Sequence, residues 1–140
     1  MIFKADVANL SAIRNFVRES SSARKVPEQK LNAIILAVDE ACSNIIQHGY
    51  LGDDGIIELH VGNDDGRLEV QLHDRAPYFN PLNVNPACDL EQTIEERPIG
   101  GLGILMMQQN ADTLKHTPRT GGGNILTLAV NFKPEVGSDV

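Results

Sequence analysis

The sequence predicts an α+β fold, a two-layer sandwich in which helices cover one face of a mainly antiparallel, mixed sheet. Three patterns predict it: apolar residues recur at helical intervals in the N-terminal part, two alternating segments flank a short polar turn, and an aliphatic strand closes the chain after a run of glycines. The 140 residues are expected to form a single domain over residues 1–133. A disordered tail is expected over residues 134–140.

The N-terminal part is predicted to contain one strand and two helices. Residues 1–7 are expected to form a short strand, and Asn9 or Ser11 is expected to cap a helix that ends in a run of serines. A long second helix is predicted from Pro27 to His48, because proline suits the first helical position and a glycine follows the histidine.

The remaining elements are predicted from alternation and from the positions of proline and glycine. Residues 56–62 and 67–73 alternate apolar and polar side chains around Asn63-Asp64-Asp65-Gly66, which predicts a β-hairpin. Four prolines interrupt residues 74–103, and a connection of this length is usually functional. The other expected elements are a short helical piece over 90–95, a helix over 102–111, a strand over 113–117 and a closing strand over 124–132.

Composition excludes several classes of partner. The formal net charge of -7, without a basic patch, argues against nucleic acid. The apolar runs are shorter than the roughly 20 residues that span a bilayer, so no membrane association is expected. The two cysteines lack metal-ligand spacing, which favours a reducing cytoplasm, and Cys42 is expected to be a buried, inert thiol.

Three polar residues on the second helix are candidates for chemistry. Glu40, Asn44 and His48 follow at intervals of four residues, and each interval rotates a helix face by only about 40°, so they share one stripe. The Asn44 oxygen suits a magnesium ion that takes its other ligands from phosphates and water, and Glu40 suits a general base. The Glu-x-x-x-Asn pair alone is more often a solvated face, and His48 is equally well explained as a C-terminal cap.

Two further segments add candidate nucleotide contacts. Asp74 directly follows a predicted strand and can accept a hydrogen bond from the exocyclic amine of adenine, although an aspartate that starts a turn before Pro77 is an equally good interpretation. Glycines in Gly100-Gly101-Leu102-Gly103-Ile104 let the main chain approach a phosphate, and the positive end of the following helix assists. Such loops are more often ordinary hinges, so their order and spacing carry the argument.

The motifs together resemble those of the Bergerat-fold ATPases, the superfamily of histidine-kinase ATP domains, gyrase and MutL. The string Glu40-Ala-Cys-Ser-Asn44-Ile-Ile-Gln-His48-Gly-Tyr50, the segment Asp74 to Pro81, the Gly101-Leu102-Gly103 loop and a glycine-led last strand carry the resemblance, which covers nearly the whole chain. Within the superfamily, the first motif and the short length look like the anti-sigma-factor serine kinases.

The resemblance implies ATP held under a lid over residues 85–99, with Mg²⁺ on Asn44 and Glu40 as the catalytic base. The nucleotide contacts that it implies are Asn44, His48, Asp74, Ala76, Phe79, Gly100, Gly101, Leu102, Gly103 and Asn124. Two of these positions differ from the family pattern: Ala76 replaces a usual glycine, and Asn124 stands where many relatives have threonine. Arg97 lies two residues from the usual position of a lid arginine.

The implied function is phosphorylation of a serine or threonine on a STAS-type anti-sigma-factor antagonist. Kinases of this kind also sequester a sigma factor and regulate transcription by partner switching; homodimerisation is left open. The alternative is a non-catalytic nucleotide-binding module that sequesters a protein partner. Glu40 and Asn44 favour the kinase, whereas Ala76 favours the alternative. An ATPase without a protein substrate rests on fold analogy alone, and no phosphoacceptor helix pair is expected beside the ATP domain.

Overall fold

The secondary-structure elements follow the order that the sequence predicts. The structure is a computed structural model, and it describes residues 1–22, 25–64, 66–77 and 101–132. The elements are β1 (Ile2–Lys4), a 3-10 turn (Val7–Asn9), α1 (Leu10–Ser21), α2 (Glu28–Asn44), a π-helical turn (Ile45–Gly49), β2 (Ile56–Asp64), β3 (Arg67–Asp74), α3 (Gly101–Asn110), β4 (Thr113–Pro118) and β5 (Asn124–Asn131). None of the helices in these ranges is long and apolar enough to cross a bilayer.

The strands form one sheet in the order β1-β2-β3-β5-β4. All four pairings between these described strands are antiparallel, which confirms the expected α+β class with a mainly antiparallel sheet. The closing strand β5 lies between β3 and β4, so its first residue, Asn124, is paired with the last residue of β3, Asp74. The strand order therefore brings together two candidate residues that are far apart in the sequence.

Alternation along β3 separates a helix-facing side of the sheet from a more open side. Successive side chains of a strand point to opposite faces, and every second residue of β3 is buried. The buried row is Leu68, Val70, Leu72 and Asp74. Asp74 therefore continues an apolar row beneath the helices, whereas Arg67, Glu69, Gln71 and His73 occupy the other face.

Helix α2 supplies most of the helical side of the core. Its buried apolar residues are Leu31, Ile34, Ile35, Ala37, Val38, Ala41 and Cys42. Burying one such aliphatic side chain contributes about 1.5–3 kcal/mol, so this face anchors the helix on the sheet. Ala37 belongs to the polar arc of Glu40 and Asn44, yet it is fully buried. Helix α3 packs against α2. The neighbouring Leu36 remains partly exposed.

Cys42 is completely buried in this core, as the sequence predicts. Burial raises the pKa of its thiol far above the ordinary value, and the nearby charge of Asp39 acts in the same direction. A thiol that does not ionise is a poor nucleophile and a poor metal ligand. Cys42 therefore behaves as a small hydrophobic residue.

The predicted long helix ends earlier than expected. Helix α2 is α-helical only to Asn44, and the next residues form the π-helical turn, in which the N–H of Tyr50 donates to the carbonyl oxygen of Ile45 at 2.9 Å. The wider turn rotates the chain by less than 100° per residue. His48 therefore does not continue the stripe of Glu40 and Asn44 with α-helical geometry, which corrects the prediction that one α-helix carries all three side chains.

The N-terminal cap also differs from the expectation. Asn9 precedes α1 but makes no side-chain capping bond; its Nδ2 instead donates to the carbonyl oxygen of Lys4 at 2.9 Å. Asp6 caps the preceding 3-10 turn by accepting from the N–H of Ala8. The expectations for a helical piece over 90–95, for the lid over 85–99 with Arg97, and for the tail over 134–140 lie outside the described residues.

Candidate functional site

Asp74 is a buried carboxylate that the surrounding protein holds by one oxygen. Only 3% of the residue is exposed. Its Oδ1 accepts hydrogen bonds from the N–H of Ala76 and from Nδ2 of Asn124, both at 3.0 Å. Among the described residues both of these hydrogen bonds fall on Oδ1. Burial raises the pKa of Asp74, and the two hydrogen bonds oppose this increase only in part.

Asn124 is held in a fixed orientation by a second hydrogen bond. Its Oδ1 lies 2.8 Å from Nε2 of His116. Because the amide nitrogen donates to Asp74, its oxygen faces the histidine and accepts from that ring nitrogen. The resemblance implies a nucleotide contact at Asn124, and the structure adds a direct bond from Asn124 to the carboxylate of Asp74, which is the predicted adenine contact. His116 was missed, since an isolated histidine in a short strand gives no signal of its own.

Gly123 allows the start of β5 to approach the end of β3. Its φ of 101° lies in the region that favours glycine. A Cβ at this position would collide with the carbonyl oxygen of Asp74 and lie 2.9 Å from Cα of Arg75. The glycine that precedes the last strand is therefore required by the same contact that brings Asn124 to Asp74.

Ala76 is compatible with this turn. It is 1% exposed, and its methyl group belongs to the hydrophobic core. Among the described residues, a positive φ at a residue other than glycine occurs at Lys25 and Leu51, so the backbone of Ala76 is ordinary. The usual glycine of the family pattern is therefore not demanded by the backbone here.

The stripe on α2 presents Glu40 and Asn44 one helical turn apart. Glu40 is half-buried, and burial, with a smaller contribution from the charge of Asp39, raises the pKa of its carboxyl group. Asp39 is in turn bonded to Arg14 at 2.6 Å. Asn44 is only 4% exposed, and its Nδ2 has no hydrogen-bond partner among the described residues. A buried amide nitrogen without such a partner costs free energy, so Nδ2 of Asn44 is a candidate hydrogen-bond donor to a bound ligand.

The remaining predicted contacts are placed only in part. His48 lies half-buried in the π-helical turn, and its two interpretations, cap and ligand contact, stay open. Gly101, Leu102 and Gly103 form the first turn of α3, where main-chain N–H groups have no partner within the helix. Helix α3 packs against α2, the helix that carries Glu40 and Asn44. Phe79 and Gly100 lie outside the described residues.

A magnesium ion would find one protein ligand here. Among the described residues, no group of three or more His, Cys, Asp and Glu side chains is arranged to hold a metal. Mg²⁺ keeps several waters and commonly binds proteins through one or two oxygen ligands together with substrate phosphates. The amide oxygen of Asn44 is the group that would serve as this ligand, whereas the atom without a partner among the described residues is its Nδ2.

The fold and the site together define an ATP-binding domain of the histidine-kinase type: an antiparallel sheet, a buried aspartate at the end of β3 and a Glu/Asn stripe on the covering helix. The chain belongs to the histidine kinase-like ATPase domain family, whose model matches residues 3–130. This membership confirms the predicted resemblance to the Bergerat-fold ATPases.

Individual relatives add detail within the family. The chain is 33% identical over 84 residues to a serine-protein kinase RsbW of Bacillus mycoides (strain KBAB4), covering 57% of this chain and 52% of that protein. It is 31% identical over 83 residues to an RsbW of Bacillus cereus (strain AH820). The chain thus spans about half the length of these curated relatives. They support the predicted relation to the anti-sigma-factor kinases.

A solved structure supports the fold. The blue-light activated histidine kinase of Erythrobacter litoralis EL346 matches with a TM-score of 0.56 and 22% sequence identity. The match covers 80% of this chain and 33% of that chain. At this identity the likeness concerns the fold alone.

Proposed function

We propose that the protein is an ATP-dependent protein serine/threonine kinase of the anti-sigma-factor type. It phosphorylates a STAS-type antagonist in the cytoplasm and regulates transcription by exchanging this partner for a sigma factor. The observation that carries the proposal is the half-buried Glu40, with its raised pKa, one turn from the buried amide of Asn44. The RsbW relatives, which are named serine-protein kinases, support it.

Each part of the site has a role in this proposal. Asp74 accepts a hydrogen bond from the adenine amine, and Asn124 and Ala76 hold the carboxylate in place. Asn44 offers its oxygen to Mg²⁺, which neutralises charge on the phosphates. Glu40 accepts the proton of the serine or threonine hydroxyl as that oxygen bonds to the γ-phosphorus and the bond from this phosphorus to the bridging β,γ-oxygen breaks. A carboxylate with a raised pKa is a stronger base for this step.

The proposal is tested by transfer of label from γ-labelled ATP to the STAS-type protein that copurifies with the chain. Glu40→Gln is expected to keep Mg-ATP affinity and to reduce the transfer rate by about 100- to 10,000-fold, the usual contribution of a general base. Glu19→Gln, on the exposed side of α1, is the matched control and should leave the rate unchanged.

The alternative function predicts a different result. A wild-type protein that binds the partner tightly but transfers no label would be a non-catalytic sequestering module. Equal transfer rates for wild type and Glu40→Gln would remove Glu40 from the mechanism.

A further inference from the structure

The hydroxyl group of Tyr50 joins three segments of the chain. It donates to the carbonyl oxygen of Ile56 at 2.6 Å and accepts from the N–H groups of Arg75 at 2.7 Å and of Ile56 at 3.3 Å. A phenol hydroxyl has one hydrogen to donate and two lone pairs, so main-chain partners saturate it. Tyr50 thereby ties the end of the π-helical turn to the start of β2 and to the residue after Asp74.

Gly55 makes this contact sterically feasible. A Cβ on Gly55 would collide with the ring of Tyr50 at Cδ1, Cε1 and Cζ. Between the two residues the chain reverses through Leu51 and Gly52, at φ of 56° and 81°. The reversal returns the chain beneath the ring, so that the hydroxyl meets Ile56. The hydrogen bonds of the Tyr50 hydroxyl therefore depend on the absence of a side chain at Gly55.

We propose that Tyr50 is a positioning residue that fixes the separation between the two ends of the nucleotide site, which are Asn44 at one end and Asp74 at the other. It follows the helical segment that carries Asn44. Its partner Arg75 lies between Asp74 and Ala76, whose N–H holds the carboxylate. A ligand that spans both ends binds more tightly when their separation is preorganised. This inference rests on the proposed function, because it takes Mg-ATP as the spanning ligand.

Tyr50→Phe tests the inference, since it keeps the ring and removes the hydroxyl group. Adenosine engages the Asp74 end alone, and inorganic tripolyphosphate with Mg²⁺ engages the other end alone. The variant is expected to raise the Kd for Mg-ATP about tenfold, the effect of losing the one bond that reaches the Asp74 end, from the N–H of Arg75. It should change the Kd of either half-ligand by less than about twofold. Gly55→Ala displaces the ring without removing the hydroxyl and should give the same pattern.

A second measurement needs no nucleotide. The Arg75 amide hydrogen is protected by the Tyr50 hydroxyl, so its exchange in the free protein should accelerate in Tyr50→Phe. Ile13→Val, a substitution on the fully buried face of α1, is the control for a general loss of stability. It should leave the affinity for Mg-ATP unchanged, and it should not accelerate amide exchange at Arg75 more than at other residues.

The outcomes separate this inference from the proposed function. Three results would overturn the inference and leave the kinase proposal intact. They are an equal Mg-ATP affinity in wild type and Tyr50→Phe, an equal loss of affinity for Mg-ATP and both half-ligands, and an unchanged rate of amide exchange at Arg75. A wild type that binds Mg-ATP but labels no partner contradicts the kinase proposal alone. A wild type without affinity for Mg-ATP contradicts both.

Discussion

Asn124 donates a hydrogen bond of 3.0 Å from its Nδ2 to Oδ1 of Asp74, and both side chains are buried. The two residues are paired across β3 and β5, so the sheet itself sets their distance. His116 on β4 holds the other end of the Asn124 amide. Three neighbouring strands therefore orient the carboxylate that is proposed to select adenine.

Replacing Asp74 by asparagine is expected to change nucleotide selectivity more than stability. Asparagine keeps one oxygen to accept from Ala76 and Asn124, but it presents an NH₂ donor where Oδ2 of Asp74 stood. Two donors then face each other at the adenine amine. Calorimetry should show the Kd for Mg-ATP raised by about 10- to 100-fold, with the ratio of GTP to ATP affinity increased.

Glu69→Gln is the matched control for this substitution, because Glu69 lies on the same strand but on the opposite face of the sheet. It should leave both affinities unchanged. The unfolding temperature of Asp74→Asn should equal or exceed that of wild type, because the variant removes a buried charge. Unchanged affinity for ATP in Asp74→Asn would show that this carboxylate does not contact the base.

The raised pKa of Asp74 predicts opposite pH trends for nucleotide affinity and for stability. The adenine contact needs the ionised carboxylate, so Mg-ATP affinity should fall as the pH drops through the raised pKa, which lies above the ordinary value of 3.8. The free folded protein binds the proton more tightly than the unfolded chain, so the contribution of Asp74 to stability is present at low pH and is lost as the pH rises from 3.8 through the folded pKa.

Titration calorimetry and thermal unfolding across this pH range check both trends. The same measurements on Asp74→Asn provide the reference, since the other carboxyl groups titrate in both proteins. When the values for Asp74→Asn are subtracted from those for wild type, the Mg-ATP affinity should rise with pH and the stability should fall with pH. Parallel curves for wild type and variant would contradict the shift in the pKa of Asp74.

The sequence predicts those parts of the site that lie within one element. Glu40 and Asn44 share a stripe because helical geometry alone determines it, and Asp74 ends a strand whose alternation is visible in the sequence. The hairpin is likewise predicted from alternation around a polar turn ending in Gly66. These predictions needed no knowledge of how distant segments pack.

The contacts between elements could not be predicted in this way. The insertion of β5 between β3 and β4 depends on contacts between distant parts of the chain. The bond of His116 to Asn124 and the close approach of Gly123 to Asp74 exist only because of this strand order. The π-helical turn before Tyr50 also has no local signal, since helical periodicity continues through it. The hydrogen bonds of Tyr50 to Ile56 and Arg75, which follow this turn, are formed by the folded chain as a whole.

Removing the amide of Asn44 is expected to abolish the effect of magnesium on nucleotide binding. Asn44→Ala takes away the proposed metal ligand, so the Kd for ATP with Mg²⁺ should rise at least about tenfold, towards the value measured with EDTA. Stability should change little, because the variant also removes a buried Nδ2 without a described partner.

Asn32→Ala is the control on the same helix, where the side chain is exposed and bonded to Arg18. Its response to Mg²⁺ should match that of wild type. A full magnesium effect in Asn44→Ala would place the metal elsewhere.

Gly123→Ala is expected to damage the site through the backbone. Alanine at a φ of 101° is strained, and its Cβ would also collide with the carbonyl oxygen of Asp74. The neighbouring Gly122, at a φ of 112°, has open space around its Cβ position, so Gly122→Ala measures the strain alone. We expect a loss of about 1 kcal/mol in the free energy of unfolding for Gly122→Ala, and at least about 2 kcal/mol for Gly123→Ala.

Denaturant unfolding measures both losses, and calorimetry measures Mg-ATP affinity. Because the collision displaces the end of β3 from the start of β5, only Gly123→Ala should weaken the Asn124–Asp74 bond and reduce the affinity. Equal losses of stability in the two variants, with equal Mg-ATP affinities, would mean that the approach of β5 to Asp74 does not depend on the missing side chain.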